Sequence, residues 1–188
     1  MEQLASGYRL RYASAEDFAA LNAIEQAAAR IFPAGFLPDK VLDEKLPFSV
    51  LEQARQQDML WLVQCADGTP VGYVMVESLD GLTLLAQIDV QPAHGRQGLG
   101  TALIRHALSQ VQAREVWLTT FTNVPWNAPF YQKLGFVVVD EACAPDAIVK
   151  TLAAERACGL QHRVAMRLTR PEKWGQVNFS YSPSLNMF

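Results

Sequence analysis

The chain has 188 residues, half of them hydrophobic and 19% charged, with a net charge of −3. This length supports one well-buried core and is short for two domains, and the slight acidic balance provides no basic patch for nucleic acid. With no charged-then-apolar leader and no apolar run near the ~20 residues of a membrane helix, a cytoplasmic protein without membrane contact is expected.

Residues 8–12, Tyr-Arg-Leu-Arg-Tyr, alternate and predict an opening strand. Ser14 with Glu16 and Asp17 reads as a capping box, followed by a helix whose face is Phe18, Leu21, Ile24, Ala28 and Ile31 and which stops at Pro33 and Gly35. From Phe32 to Leu51 prolines and aromatics alternate. That pattern predicts a specificity loop, with Phe32, Phe36, Leu37 and Phe48 either candidates for an acceptor pocket or core filling beneath the loop, and a short helix over 49–57.

Strands over 59–65 and 71–76, joined by an Asp67-Gly68 turn, and a third over 82–90 predict an antiparallel meander. Pro92 ends the third strand, and a helix begins at about Gly98 or Leu99, with Leu103, Ala107, Leu108 and Val111 at helical spacing. Glycines at the first turn of a helix let a ligand approach free N–H groups, so the expected ligand is an anion. A strand over 115–121, a short helix over 125–134 closed by Gly135, a strand over 136–139, a helical run over 146–158 and a last strand over 162–168 complete the pattern.

The window Gly95-Arg96-Gln97-Gly98-Leu99-Gly100, after a strand ending Val90-Gln91-Pro92, resembles the pyrophosphate loop of the GNAT acetyltransferases, Gln/Arg-x-x-Gly-x-Gly/Ala. It departs at the first position, where Gly95 stands for Gln or Arg. Further on, Phe130-Tyr131-x-x-x-Gly135-Phe136 resembles the second signature of that family. The resemblance spans about residues 8–168. It implies an α/β (α+β) GNAT acyltransferase fold, with a mixed, mostly antiparallel sheet of about seven strands flanked by helices. One domain over 1–170 is expected, then a tail, 171–188, of no clear pattern. Phe179, Tyr181, Leu185 and Phe188 in that tail are candidate surface for a homodimer.

The resemblance also implies acetyl-CoA as cosubstrate, held by Gly95, Arg96, Gln97, Gly98, Leu99, Gly100 and Thr101, with Ile88, Asp89 and Val90 of a splayed strand binding the pantetheine arm. On the same ground Val90 N–H is the expected oxyanion donor and Tyr131 the acid that protonates the departing thiolate. Asn127, one turn before Tyr131, is a candidate pantetheine or water ligand, with Asn123 as competitor and helix capping as its structural alternative. For the base, Asp89 and Glu77 are candidates beside a water relay. If Leu84, Ala86, Ile88 and Val90 face one side of their strand, Gln87 and Asp89 face the other. Cys65, Cys143 and Cys158 are odd in number and lack metal-type pairing, so neither a disulfide framework nor a metal site is expected. The resulting expectation is an N-acetyltransferase acting on a primary amine of a small molecule or peptide by direct attack in a ternary complex. A non-catalytic acyl-CoA sensor is the alternative.

Overall fold

The computed structural model describes residues 4–170. Its centre is a seven-stranded sheet in the order β1-β2-β3-β4-β5-β7-β6, with β1 Tyr8–Tyr12, β2 Leu60–Cys65, β3 Pro70–Leu79, β4 Leu82–Val90, β5 Glu115–Phe121, β6 Val137–Val139 and β7 Arg163–Thr169. Every neighbouring pair is antiparallel except β4 with β5. The helices are α1 Phe18–Ala29, α2 Asp39–Asp43, α3 Phe48–Gln56, α4 Leu99–Gln110, α5 Asn127–Lys133 and α6 Asp146–Ala157. The parallel pair is the one that α4 joins as a crossover, as parallel strands require.

One face of the sheet carries α4 and α5. There Val74, Val76, Leu85 and Leu118 pack with Leu99, Leu103, Ile104 and Phe136. The opposite face carries α1 and α3 over Leu60, Leu62, Tyr73 and Met75, and α6 over Leu84 and Trp117. Asp17 fixes the start of α1: it accepts from the Ser14 N–H at 2.7 Å and from both terminal nitrogens of Arg11 at 2.8 Å. Those bonds hold its carboxyl below the usual carboxylate range.

Two sequence expectations change. The segment after α1 is not one open loop: it contains α2, while Leu37, buried with Phe121 and Val124, takes the core-filling one of its two expected roles. The period-2 reading of β4 also fails at one point. Met75 pairs with Gln87 but Val76 pairs with Leu85, so Ala86 is the extra residue of a β-bulge. Leu85, Ile88 and Val90 therefore share the α4 side. Ala86 joins the α1 side, where the partners of Gln87 and Asp89 are Met75 and Tyr73. Gln87 and Asp89 do oppose Ile88 and Val90, but Leu84 and Ala86 are not on the side of Ile88 and Val90.

Candidate active site

β4 and β5 pair only at Thr83–Val116 and Leu84–Trp117. Beyond that point β5 stays with β7 as far as the Phe121–Arg163 pair, while β4 stays with β3 as far as Gly72–Val90. The two strands thus diverge, and the bulge at Ala86 lies where the divergence starts. Gln91 N–H donates to Val71 O at 2.8 Å. Since N–H directions alternate along a strand, the N–H and C=O groups of Ile88 and Val90 point the other way, into the gap left by β5. Backbone donors that a continuous sheet would consume are available there to a ligand.

The turn after β4 leads to the same gap. Pro92–His94 forms one 3₁₀ turn, and Arg96 (φ 60°) and Gly98 (φ 77°) both take left-handed backbone conformations. The first intrahelical bond of α4 runs from Ala102 N–H to Gly98 O at 2.9 Å, which leaves the N–H groups of Leu99, Gly100 and Thr101 pointing out of the helix end. A methyl group on Gly100 would lie 3.5 Å from the Phe130 ring and 4.0 Å from Val90 Cγ2, so this turn sits directly between β4 and α5. The opening strand braces the turn from behind: the Tyr8 hydroxyl donates to Gln97 Oε1 at 3.0 Å and meets His94 Nδ1 at 2.8 Å.

On the α1 side of the gap Asp89 lies among Tyr73, Gln87 and Glu25. Gln87 Nε2 donates to Asp89 Oδ2 at 2.7 Å and reaches Glu25 Oε1 at 3.4 Å. Burial, reinforced by the Glu25 charge, pushes the Asp89 pKa up to about 7 against the Gln87 bond, which favours the ionised form. The Tyr73 hydroxyl, fully buried and without a hydrogen-bond partner, faces the same carboxylate. Across the gap Tyr131 packs edge-on against Phe130 and Phe136, with ring centroids 5.1 and 6.1 Å away. Burial, with the Asp89 charge adding to it and Arg163 opposing, raises its pKa to about 12. One wall therefore presents a carboxyl poised near neutrality, and the other a phenol that keeps its proton.

The model of the Acetyltransferase (GNAT) family matches residues 21–136, more than half of the chain. The chain belongs to this family. Its fold is also similar to solved structures. That of PaiA N-acetyltransferase from Thermoplasma acidophilum in complex with coenzyme A has a TM-score of 0.67 at 16% identity, covering 87% of this chain and 99% of that one. The ribosomal-protein-S18-alanine N-acetyltransferase of Escherichia coli aligns at 0.61 and 16% identity, over 92% and 99%. YncA, a putative acetyltransferase from Salmonella typhimurium with acetyl-CoA, aligns at 0.63 and 17% identity, over 90% and 97%. At these identities the likeness is one of fold.

Within this GNAT fold the residues singled out from sequence separate into groups. Residues 88–90 border the gap, the turn over 95–101 leads to it with Gly100 against Phe130 and Val90, and Tyr131 feels the Asp89 charge from α5. Asn127 opens α5 one turn before Tyr131, with its N–H on Val124 O at 3.1 Å, whereas Asn123 is exposed in the preceding turn. Glu77 stands apart. It pairs with Leu84, where β4 and β5 are still joined, and lies four residues, roughly 13 Å, along β3 from Tyr73. Burial alone raises its pKa. Among the acceptor-loop candidates, Phe32 and Phe36 stack at 5.2 Å and press edge-on against Phe121 at the end of β5. Phe48 is 53% exposed and packs on Phe18 instead.

Sequence reading missed Glu25, Tyr73 and a cluster at the far arm of the gap. Arg163 there forms two bonds to Glu155, at 2.7 and 3.0 Å, one to Thr119 Oγ1 at 2.9 Å, and lies 4.6 Å above the Phe121 ring. Position alone signals none of these, because Glu25 and Gln87 are 62 residues apart. Among the described residues the cysteines are unpaired, no group of three side chains could hold a metal ion, and no helix is long and apolar enough to cross a membrane. The tail residues Phe179, Tyr181, Leu185 and Phe188 lie outside the described residues.

Proposed function

We propose that the protein is an acetyl-CoA-dependent N-acetyltransferase acting on a primary amine by direct attack in a ternary complex. The observation that carries this reading is the gap where β4 leaves β5 after Leu84, with Asp89 and Tyr131 on its walls, in a chain of the GNAT family. The first-turn N–H groups of α4 would hold the pyrophosphate, and the free edge of Ile88 and Val90 the pantetheine arm. Four structures with coenzyme A or acetyl-CoA among those of similar fold support this choice of cosubstrate.

Each chemical demand then falls on a residue of this chain. Asp89 takes a proton from the incoming ammonium, freeing its lone pair for the thioester carbon. Val90 N–H donates to the carbonyl oxygen as it gains negative charge. The C–N bond forms, the C–S bond breaks, and Tyr131 gives its proton to the departing thiolate. The negative field of Asp89 and Glu25 favours a cationic acceptor over an anionic one.

The test is thiol release from acetyl-CoA across polyamines, amino acids, aminoglycosides and N-terminal peptides, with Tyr131→Phe in parallel. Turnover with one amine class, reduced on the order of 10²-fold by Tyr131→Phe, is expected. Binding of acetyl-CoA without turnover on any amine would overturn the catalytic reading in favour of a sensor.

A further inference from the structure

Gln87 stands directly after the bulge, on the α1 side of β4, with its amide between the carboxylates of Asp89 (2.7 Å) and Glu25 (3.4 Å). The other oxygen of Glu25, Oε2, accepts the Leu46 N–H at 3.4 Å. One turn earlier on α1, Asn22 donates Nδ2 to the Leu46 carbonyl at 3.1 Å. Leu46 belongs to the stretch between α2 and α3, so α1 grips both backbone groups of that stretch with Asn22 and Glu25. Glu25 is largely removed from water, and burial raises its pKa; an ion at such a position is costly unless it holds something.

We propose that Glu25 is a positioning residue. Anchored by the Leu46 N–H, it steadies the Gln87 amide, fixes which oxygen of Asp89 faces the gap, and ties that carboxylate to the stretch between α2 and α3. The role rests on the reading of Asp89 as the base. A carboxamide does not exchange its proton readily at neutral pH, so the chain from Glu25 through Gln87 to Asp89 orients a carboxylate and does not relay a proton.

Two opposed influences meet at Asp89. Gln87 donates to it and favours the ionised form. Glu25, with its nearer oxygen no more than about 6 Å away across the amide, is a like charge and favours the protonated form. The other groups bearing on the pair are the Tyr73 hydroxyl from β3, Tyr131 from α5 with Arg163 of β7 beyond it, and Glu44, whose charge acts on Glu25.

The experiment is a carboxyl ¹³C NMR titration of Asp89 in the full chain, assigned with Asp89→Asn, which needs neither acceptor nor coenzyme. Glu25→Gln, which removes the charge and keeps an acceptor for the Gln87 amide, should lower the Asp89 midpoint by about one pH unit, and Gln87→Met should raise it by a similar amount. General loosening of the site would not move the midpoint in opposite directions. In turnover assays Glu25→Gln should shift the acid limb of kcat/KM by the same amount and leave the KM for acetyl-CoA unchanged. Glu25→Ala, which removes the anchor as well as the charge, should lower the midpoint less than Glu25→Gln does; equal midpoints in the two variants overturn the positioning role. If the midpoints move as expected but Asp89→Asn keeps the wild-type acid limb, the positioning stands and Asp89 is not the base.

Discussion

Replacing Asp89 with Asn should make the protein more stable at pH 8 while removing the proposed base. The site sets the size of the first effect. Burial beside Tyr73, Gln87 and Glu25 puts the native carboxyl near 7, against about 3.9 in an unfolded chain. Between those values the folded state keeps a proton that the unfolded state has released. Stability must therefore fall as pH rises from about 4 to about 7 and level off above. At about 1.4 kcal/mol per pH unit the interval is worth about 4 kcal/mol, and water at the mouth of the gap reduces this to roughly 2–4 kcal/mol. Asn carries no charge to bury and still accepts from the Gln87 amide. The assay is urea unfolding of wild type and Asp89→Asn at steps from about pH 4.5 to about pH 8.5. The variant's advantage should be near zero at the acid end and reach its plateau above pH 7. A gap that does not change with pH, or a wild type more stable than the variant at pH 8, would refute the claim that Asp89 is held near neutrality by burial.

Three further perturbations test other parts of the site. Tyr8→Phe removes the hydroxyl that meets His94 Nδ1 and Gln97 Oε1; it should raise the KM for acetyl-CoA about three- to tenfold at unchanged kcat, and calorimetric coenzyme A binding unaffected by it would mean the brace is idle. Gly72→Ala would put a methyl group 3.0 Å from Asp89 O and 3.1 Å from Val63 Cγ1 and Val90 Cγ2. That overpacking should cost about 1–3 kcal/mol in denaturant unfolding, with an undiminished midpoint counting against the tight β3–β4 approach. Arg163→Met strands Glu155, whose side chain is only 16% exposed. A loss of about 3 kcal/mol is expected in thermal unfolding, partly recovered when Glu155→Met is added; no recovery would show that the pair does not act as a unit.

What could be read from sequence had a local signal. Tyr8–Tyr12 and α4 each repeat at their own period, the Asp67-Gly68 turn marks the hairpin, and Gly98 takes the positive φ at the start of α4. The short helix α2 escaped because five residues, Asp39–Asp43, are too few to establish a helical period among prolines. The faces of β4 were misjudged at Leu84 and Ala86 because a bulge adds one residue without changing composition, yet reverses the side of everything beyond it.

The sequence by itself determined the order of the strands and the longer helices, the glycine turn before α4 and the Tyr131 signature, since each is written in neighbouring residues. Only the tertiary structure decided what surrounds the chemistry. The gap exists because β4 leaves β5 after Leu84, and Asp89 is poised because Glu25 of α1 and Tyr73 of β3 are packed against it. Tyr131 and Arg163 meet that carboxylate from α5 and β7. Proton affinity depends on distance, burial and charge in three dimensions, and these are properties of the packed assembly of elements that lie far apart in the chain.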